Sequence, residues 1–392
     1  MAEAYIVAAA RTAGGRRNGK LSGWHPAVLA ASVLDTLIAR SGCDPALVED
    51  VIMGCVGQVG EQANNIARNA VLASCLPESV PATSVDRQCG SSQQALHFAA
   101  QAVMSGSMDI VIAAGVESMS RVPIGSPSIL AMKAEMGFYV SPRMQQRYPG
   151  VQFSQFTGAE LVARKHGLSR AQVDAYALQS HQRAAAAAKA GAFDAEIVPV
   201  AVRLRGGQDS TELHTVDEGI RFDASLDSIG SVKLLAEGGV CTAANASQIC
   251  DGAAGLMVVN ERGLKTLGVA PLARVHQMTV IGGDPVMMLE SPIPATLHAL
   301  KKAGMAINDI DLFEVNEAFA SVPVAWLQVT GADPARLNAR GGAIALGHPL
   351  GGSGAKLMTT LLHALKAGNK RYGLQTMCEG GGLANVTIVE RL

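Results

Sequence analysis

Two stretches of this 392-residue chain, far apart in sequence, follow the same plan at one constant separation. DIDLFEVNEAFA, Asp309 to Ala320, resembles the region of the apolar run Val51 to Val56. HPLGGSGAKLMTTLLHALKAG, His348 to Gly368, resembles the segment that opens at Cys89: small residues, a helical run, then glycine. GLQTMCEGGG, Gly373 to Gly382, follows it as DIVIAAG, Asp109 to Gly115, follows the first. Setting Asp50 opposite Asp311 fixes the separation at 261 residues. That separation puts Cys89 opposite Leu350, two residues past His348, and Glu117 opposite Cys378. A chain that repeats strand, helix and strand in one register is expected to build two similar layered α/β halves. Two facing halves bring their loops together at a shared cleft.

Tyr5 to Ala10 reads as a buried strand and Ala27 to Arg40 as a helix. After Cys89, the apolar positions Ala95, Phe98, Ala99, Ala102 and Val103 recur at helical spacing, and Gly106 offers a stop. Between Met119 and Val240 the texture changes. SRVPIGSPSI and SPRMQQRYPG carry proline, serine and arginine with little periodicity. A strong helix follows, with Ser169 and Gln172 as its capping box and Gly191 near its end. This region is expected to be a lid or loop domain inserted over the cleft. The plainer alternative is a surface insertion serving only subunit contacts.

Apolar residues make up 48% of the chain and aromatics only 4%, so the core must be aliphatic side chains packed closely around 42 glycines. A net charge of −1 gives no global field for nucleic acid or an acidic membrane, and an anionic ligand must be held by local groups. Seven cysteines, none in a CxxC pair, suggest neither a zinc site nor a disulfide framework. Reduced thiols and a cytoplasmic location are expected. The N-terminal apolar run precedes its arginines, the reverse of a signal peptide, and no run is long enough for a membrane span.

Four places carry candidate chemistry. In VDRQCGSSQQA, Val85 to Ala95, Cys89 sits where a strand ends and a helix begins. A helix start favours thiolate over thiol, and Gly90 allows close approach of a ligand. The bland alternative is a small buried core residue. RGGAIALGHPLGGSGA, Arg340 to Ala355, has six glycines and holds His348 between Gly347 and Pro349. The repeat brings it near Cys89, and a cysteine–histidine pair is an activated nucleophile. In MCEGGGLANVTI, Met377 to Ile388, Cys378 enters a triple glycine whose N–H groups can hold an oxyanion. A tight turn would need fewer glycines. In VNEAFA, Val315 to Ala320, Asn316 can orient a water or a carbonyl, or simply cap a turn.

Together, CGSSQQA, NEAFA, GGAIALGHPLGGSG and CEGGG resemble the thiolase family, as does NASQICDGAA, Asn245 to Ala254. The resemblance covers the whole chain in order. It implies a duplicated five-layered α/β/α/β/α fold with an inserted loop domain. The expected division is residues 1–118 and 244–270 for the N-terminal half, 119–243 for the loop domain and 271–392 for the C-terminal half. It implies reversible Claisen chemistry on coenzyme A thioesters, with acyl-CoA as substrate, no metal and no permanently bound cofactor. Cys89 would be the nucleophile. His348 would activate it and, with a water held by Asn316, stabilise the thioester oxyanion. Cys378 would move the proton at the α-carbon. The N–H groups of Cys89 and Gly380 would form a second oxyanion hole. Ser247, Met288, Ala318 and Phe319 would contact the pantetheine, and Arg221 and Ser228 the nucleotide end. The family implies a homodimer or a homotetrameric dimer of dimers, with Arg121 to Ser141 as the contact.

Two departures point away from a short-chain enzyme. Gln155 and Phe156, in FSQFTGAEL, stand where short-chain thiolases have a His-Met-Gly-like pattern, and CEGGGLAN replaces the more frequent C-apolar-GGG. Both resemble a bacterial branch of fatty acid and steroid degradation, so cleavage of 3-oxoacyl-CoA is expected. An acetyl-CoA C-acetyltransferase is the alternative. A decarboxylating ketoacyl synthase or a hydroxymethylglutaryl-CoA synthase would leave Cys378 without a purpose. A non-catalytic lipid-binding relative would lose the Asn316 or Cys378 motif, and this chain keeps both.

Overall fold

The computed structural model describes residues 2–207 and 210–392. Nine main strands carry the architecture: β1 (Tyr5–Thr12), β2 (Asp50–Gly54), β3 (Ala82–Val85), β4 (Ile110–Ser118), β5 (Cys250–Val259), β6 (Ala273–Gly282), β7 (Leu312–Val315), β8 (Tyr372–Glu379) and β9 (Leu383–Glu390). They run in the order β7-β8-β9-β6-β1-β5-β4-β2-β3. The two halves meet at β1 and β6, which share only Tyr5 with Arg274 and Ile6 with Ala273.

Outward from that seam the halves match. β1 and β6 each pair antiparallel with β5 and β9, which pair antiparallel with β4 and β8. Those in turn pair parallel with β2 and β7. Val51 lies opposite Ile112 and Leu312 opposite Gly373, the same pairing displaced by 261 residues on both strands. β3 lies parallel beside β2, and its counterpart is a single parallel bridge from Phe313 to Leu337. β5 is buried along its whole length, as a strand covered on both faces must be.

The helices Ser91–Ser105 and Ser353–Ala367, both of 15 residues, pack on each other between the two half-sheets. Pro26–Ser41 covers the outside of the first half and Pro292–Ala303 the outside of the second. That is the five-layered α/β/α/β/α arrangement. The central helices approach closely because Gly354 has no side chain. A Cβ there would collide with the Gln93 backbone N and lie 2.7 Å from its Cβ.

Segment 119–243 carries helices joined by long irregular stretches, with a two-residue strand pair, Val200–Ala201 with Leu213–His214. The Arg170–Lys189 helix has the capping box expected from Ser169 and Gln172. The stretch without periodicity contains two short helices, Ser126–Lys133 and Pro142–Arg147. Neither buries a residue, so neither needs a repeating apolar face. Among the described residues, no helix is long and apolar enough to cross a membrane.

Candidate active site

Cys89 lies in the turn from β3 into the Ser91–Ser105 helix. The turn is strained and braced: Gln88 has φ of +49°, and its N–H donates to Asp86 Oδ1 at 2.7 Å. Ser91 Oγ donates to the Gln88 carbonyl at 2.6 Å and accepts the Arg87 N–H at 2.9 Å. The expected thiolate is not the resting form. Burial and the neighbouring Glu379 push the Cys89 thiol up to about 12, although its own N–H acts the other way. The helix start does little to offset them, because the Gly90 and Ser91 N–H groups are bonded to the Arg87 and Gln88 carbonyls.

The His348 loop is pinned at both ends by buried carboxylates. Glu317 accepts the Ile344 N–H at 3.0 Å and Glu117 the Gly351 N–H at 2.9 Å. Between them the His348 N–H donates to the Gln248 carbonyl at 3.1 Å. Leu350 packs with Cys89, Met119, Leu357 and Met377 in one apolar cluster, so the repeat does bring this loop to Cys89. The hydrogen bonds define the imidazole tautomer. Ser353 Oγ spends its proton on the Pro349 carbonyl, so it must accept from His348 Nδ1. Nε2 is then the free base, and it accepts from Asn316 Nδ2 at 3.4 Å. Burial and nearby Lys356 hold this imidazole neutral, its pKa lowered to about 3.

Asn316 follows β7 directly, and its N–H donates to the Thr376 carbonyl at 3.0 Å, beside the strand end that carries Cys378. Cys378 is buried. Its proton affinity is raised well above the usual value, first by burial and then by Cys89 and Glu379, which makes the two thiols electrostatic neighbours. The triple glycine divides its tasks. Gly381 and Gly382 have φ near +80°. At Gly380 a Cβ would come within 2.9 Å of Gln88 Oε1.

Cys89, Gly380, Gly381 and Met288 line one cleft of about 950 Å³. Its outer wall comes from segment 119–156, with Ile124, Phe138, Tyr139, Tyr148, Phe153 and Gln155. Ser247 and Ala318 are joined by an N–H to carbonyl bond of 2.9 Å, and Phe319 meets Phe156 edge-on at 5.7 Å. Of the expected substrate contacts only Met288 lines this cleft; Ser247, Ala318, Phe319, Arg221 and Ser228 do not. Arg221 is exposed, with its N–H bonded to His181 Nδ1, and exposed Ser228 closes a capping box with Ser225.

Sequence reasoning missed the buried groups behind the site: Glu117 and Glu317 as anchors, Ser353 as the tautomer lock, and Glu379 against the nucleophile turn. Their shared signal is an acidic or hydroxyl residue set among apolar residues at a strand or helix end, as in GVESM, FEVNEAF and MCEGG.

Two family models match end to end, the thiolase N-terminal domain over residues 4–262 and the thiolase C-terminal domain over 269–391. The chain belongs to the thiolase family. Its relatives include the steroid 3-ketoacyl-CoA thiolase FadA6 of Mycobacterium tuberculosis, 51% identical across 100% of this chain and 95% of that protein. A beta-ketoadipyl-CoA thiolase of Escherichia coli is 41% identical and a 3-ketoacyl-CoA thiolase of Bacillus subtilis 38%, each across the full length of both chains. Two buried thiols, a neutral imidazole and a glycine turn are groups that could serve as nucleophile, acid or base and oxyanion donor.

Proposed function

We propose that the protein cleaves 3-oxoacyl-CoA with coenzyme A, giving acetyl-CoA and an acyl-CoA shortened by two carbons. The observation that carries this reading is a cleft-lining Cys89 with the buried Cys378 thiol as its electrostatic neighbour. Cys89 passes its proton to His348 Nε2 as Sγ bonds to the 3-keto carbon. The C2–C3 bond then breaks, and its electron pair forms the enolate of acetyl-CoA. Cys378 gives the enolate its proton, and acetyl-CoA leaves. The thiol of free coenzyme A attacks the Cys89 thioester and returns a proton to Cys378. The shortened acyl-CoA departs as Cys89 recovers its proton from His348.

His348 and an Asn316-held water stabilise the thioester oxyanion, and the N–H groups of Cys89 and Gly380 the other. Ser247, Met288, Ala318 and Phe319 hold the pantetheine, and Arg221 and Ser228 the nucleotide end, with coenzyme A as the only cofactor-like molecule required. The aromatic wall of the cleft and the likeness to a thiolase named for steroid substrates support a bulky apolar acyl group. The protein works in the cytoplasm as a dimer or dimer of dimers. Exposed Ile129, Leu130, Met132 and Met136 support a contact through Arg121 to Ser141.

Specificity constants for coenzyme A-dependent cleavage test the reading. A ring-bearing or long 3-oxoacyl-CoA is expected to be cleaved faster than acetoacetyl-CoA. The reverse order would make the protein a short-chain acetyltransferase. Cleavage of neither, with coenzyme A still bound, would reduce it to a binding protein.

A further inference from the structure

One acid at the site has no part in the reaction just described. Glu379 is the residue after Cys378 and is completely buried. Its side chain runs under the nucleophile turn. A Cβ at Gly90 would collide with Glu379 Oε1 and lie 2.6 Å from its Cδ. With the Asn385 amide oriented to satisfy its neighbours, its nitrogen donates to Glu379 Oε1 at 3.0 Å and its oxygen accepts the Gln94 N–H at 3.3 Å. Oε2 has no partner among the described residues. The groups around this carboxyl are few: Arg87 and Cys89 from the nucleophile turn, Cys378 from its own strand, and the neutral Asn385 from β9.

We infer that Glu379 is a positioning residue for the thiolase reaction, a carboxyl that wedges the Cys89 turn against the Cys378 strand and regulates by its charge how readily both thiols ionise. The inference rests on the reading of those two cysteines as the reacting thiols. Burial raises the carboxyl to about 8, against the pull of Arg87. Below that pH it is a neutral acid that fills space and leaves the thiols alone. Above it, a carboxylate faces both sulfurs and opposes a second negative charge. The thiols of this chain are therefore held back as the medium turns alkaline.

The test is the pH dependence of Cys89 alkylation by iodoacetamide, followed on the Cys89 peptide by mass spectrometry, in the wild type and in Glu379→Gln. Alkylation needs no turnover, so it judges Glu379 separately from the catalytic reading, which full activity in Cys89→Ala would overturn. Below pH 8 the two proteins are expected to react at equal rates. Above it Glu379→Gln is expected to react faster, by about tenfold for each pKa unit by which the carboxylate holds the thiol up. Superimposable profiles across the range would overturn the inference. If Glu379→Gln does not fold, the wild-type profile decides alone. A rise that flattens near pH 8 before resuming supports the charged carboxyl, and a single-proton curve contradicts it.

Discussion

At the scale of single residues, the site at rest holds no ion pair. The Cys89 thiol is pushed up to about 12 and the His348 imidazole down to about 3, both chiefly by burial. Between those values the pair remains thiol and neutral imidazole. The proton must therefore move as Sγ attacks. Since kcat/KM reports groups of the free enzyme, its value for the 3-oxoacyl-CoA is expected to stay level from about pH 5 to about pH 8. An inflection at the ordinary histidine value of about 6.5 would contradict the buried neutral base. Ser353→Ala removes the acceptor that keeps the His348 proton on Nδ1. Losing one such bond, worth about 1 kcal/mol, is expected to lower kcat about fivefold with KM unchanged. An equal kcat would show that Ser353 does not select the tautomer. The two cysteines and the histidine were legible in the sequence because each stands beside glycines, and Asn316 through the NEAFA stretch that resembles the family. Glu379, Glu117 and Ser353 were not, because residue type does not reveal burial, and charged or hydroxyl residues are ordinarily exposed.

At the scale of elements, the chemistry depends on two helix starts meeting. The Ser91 and Ser353 helices cross where Gly354 faces Gln93, and the Ala355 N–H donates to Ser92 Oγ at 2.9 Å. The glycines of HPLGGSG thus serve close packing as well as the histidine loop. Gly354→Ala would force backbone against backbone, which neither helix can relieve by a rotamer change. The substitution is expected to cost about 3 kcal/mol of stability by denaturant titration. A variant as stable as the wild type would show that the helices can slide apart. The Ser91–Ser105 helix was readable from its apolar spacing and the Ser353–Ala367 helix from its likeness to it, although both are buried along unbroken runs and Phe98, expected on the apolar face, is exposed. The Ser126–Lys133 and Pro142–Arg147 helices were not readable, since neither buries a residue and only their proline starts leave a signal.

At the scale of the whole molecule, one buried ion network joins parts distant in sequence. Arg11 of β1 donates to Glu196 at 2.6 Å and to Asp217 at 2.9 and 3.1 Å, and Lys356 donates to Asp217 at 3.2 Å. Segment 119–243 is thereby tied to a strand of the first half and a helix of the second. Lys356 also bears on His348, so the network reaches the site. Asp217→Asn leaves buried cations under-compensated and is expected to cost about 3 to 5 kcal/mol at neutral pH. Arg11 and Lys356 hold the Asp217 carboxyl below its usual range despite burial. Its stabilising contribution is therefore complete above the ordinary aspartate pKa of about 3.9 and is lost as the pH falls further. The gap between wild type and variant should narrow in acid. A gap that is small at neutral pH, or constant into acid, would exclude this role.

The central claim is that a 3-oxoacyl-CoA is cleaved through Cys89. It is tested most directly by mixing the enzyme with a 3-oxoacyl-CoA in the absence of free coenzyme A and mapping the product by peptide mass spectrometry. One equivalent of acetyl-CoA is expected to be released and the shortened acyl group to sit on the Cys89 peptide, removed when coenzyme A is added. An acyl group on another residue, or turnover that never labels Cys89, would contradict it.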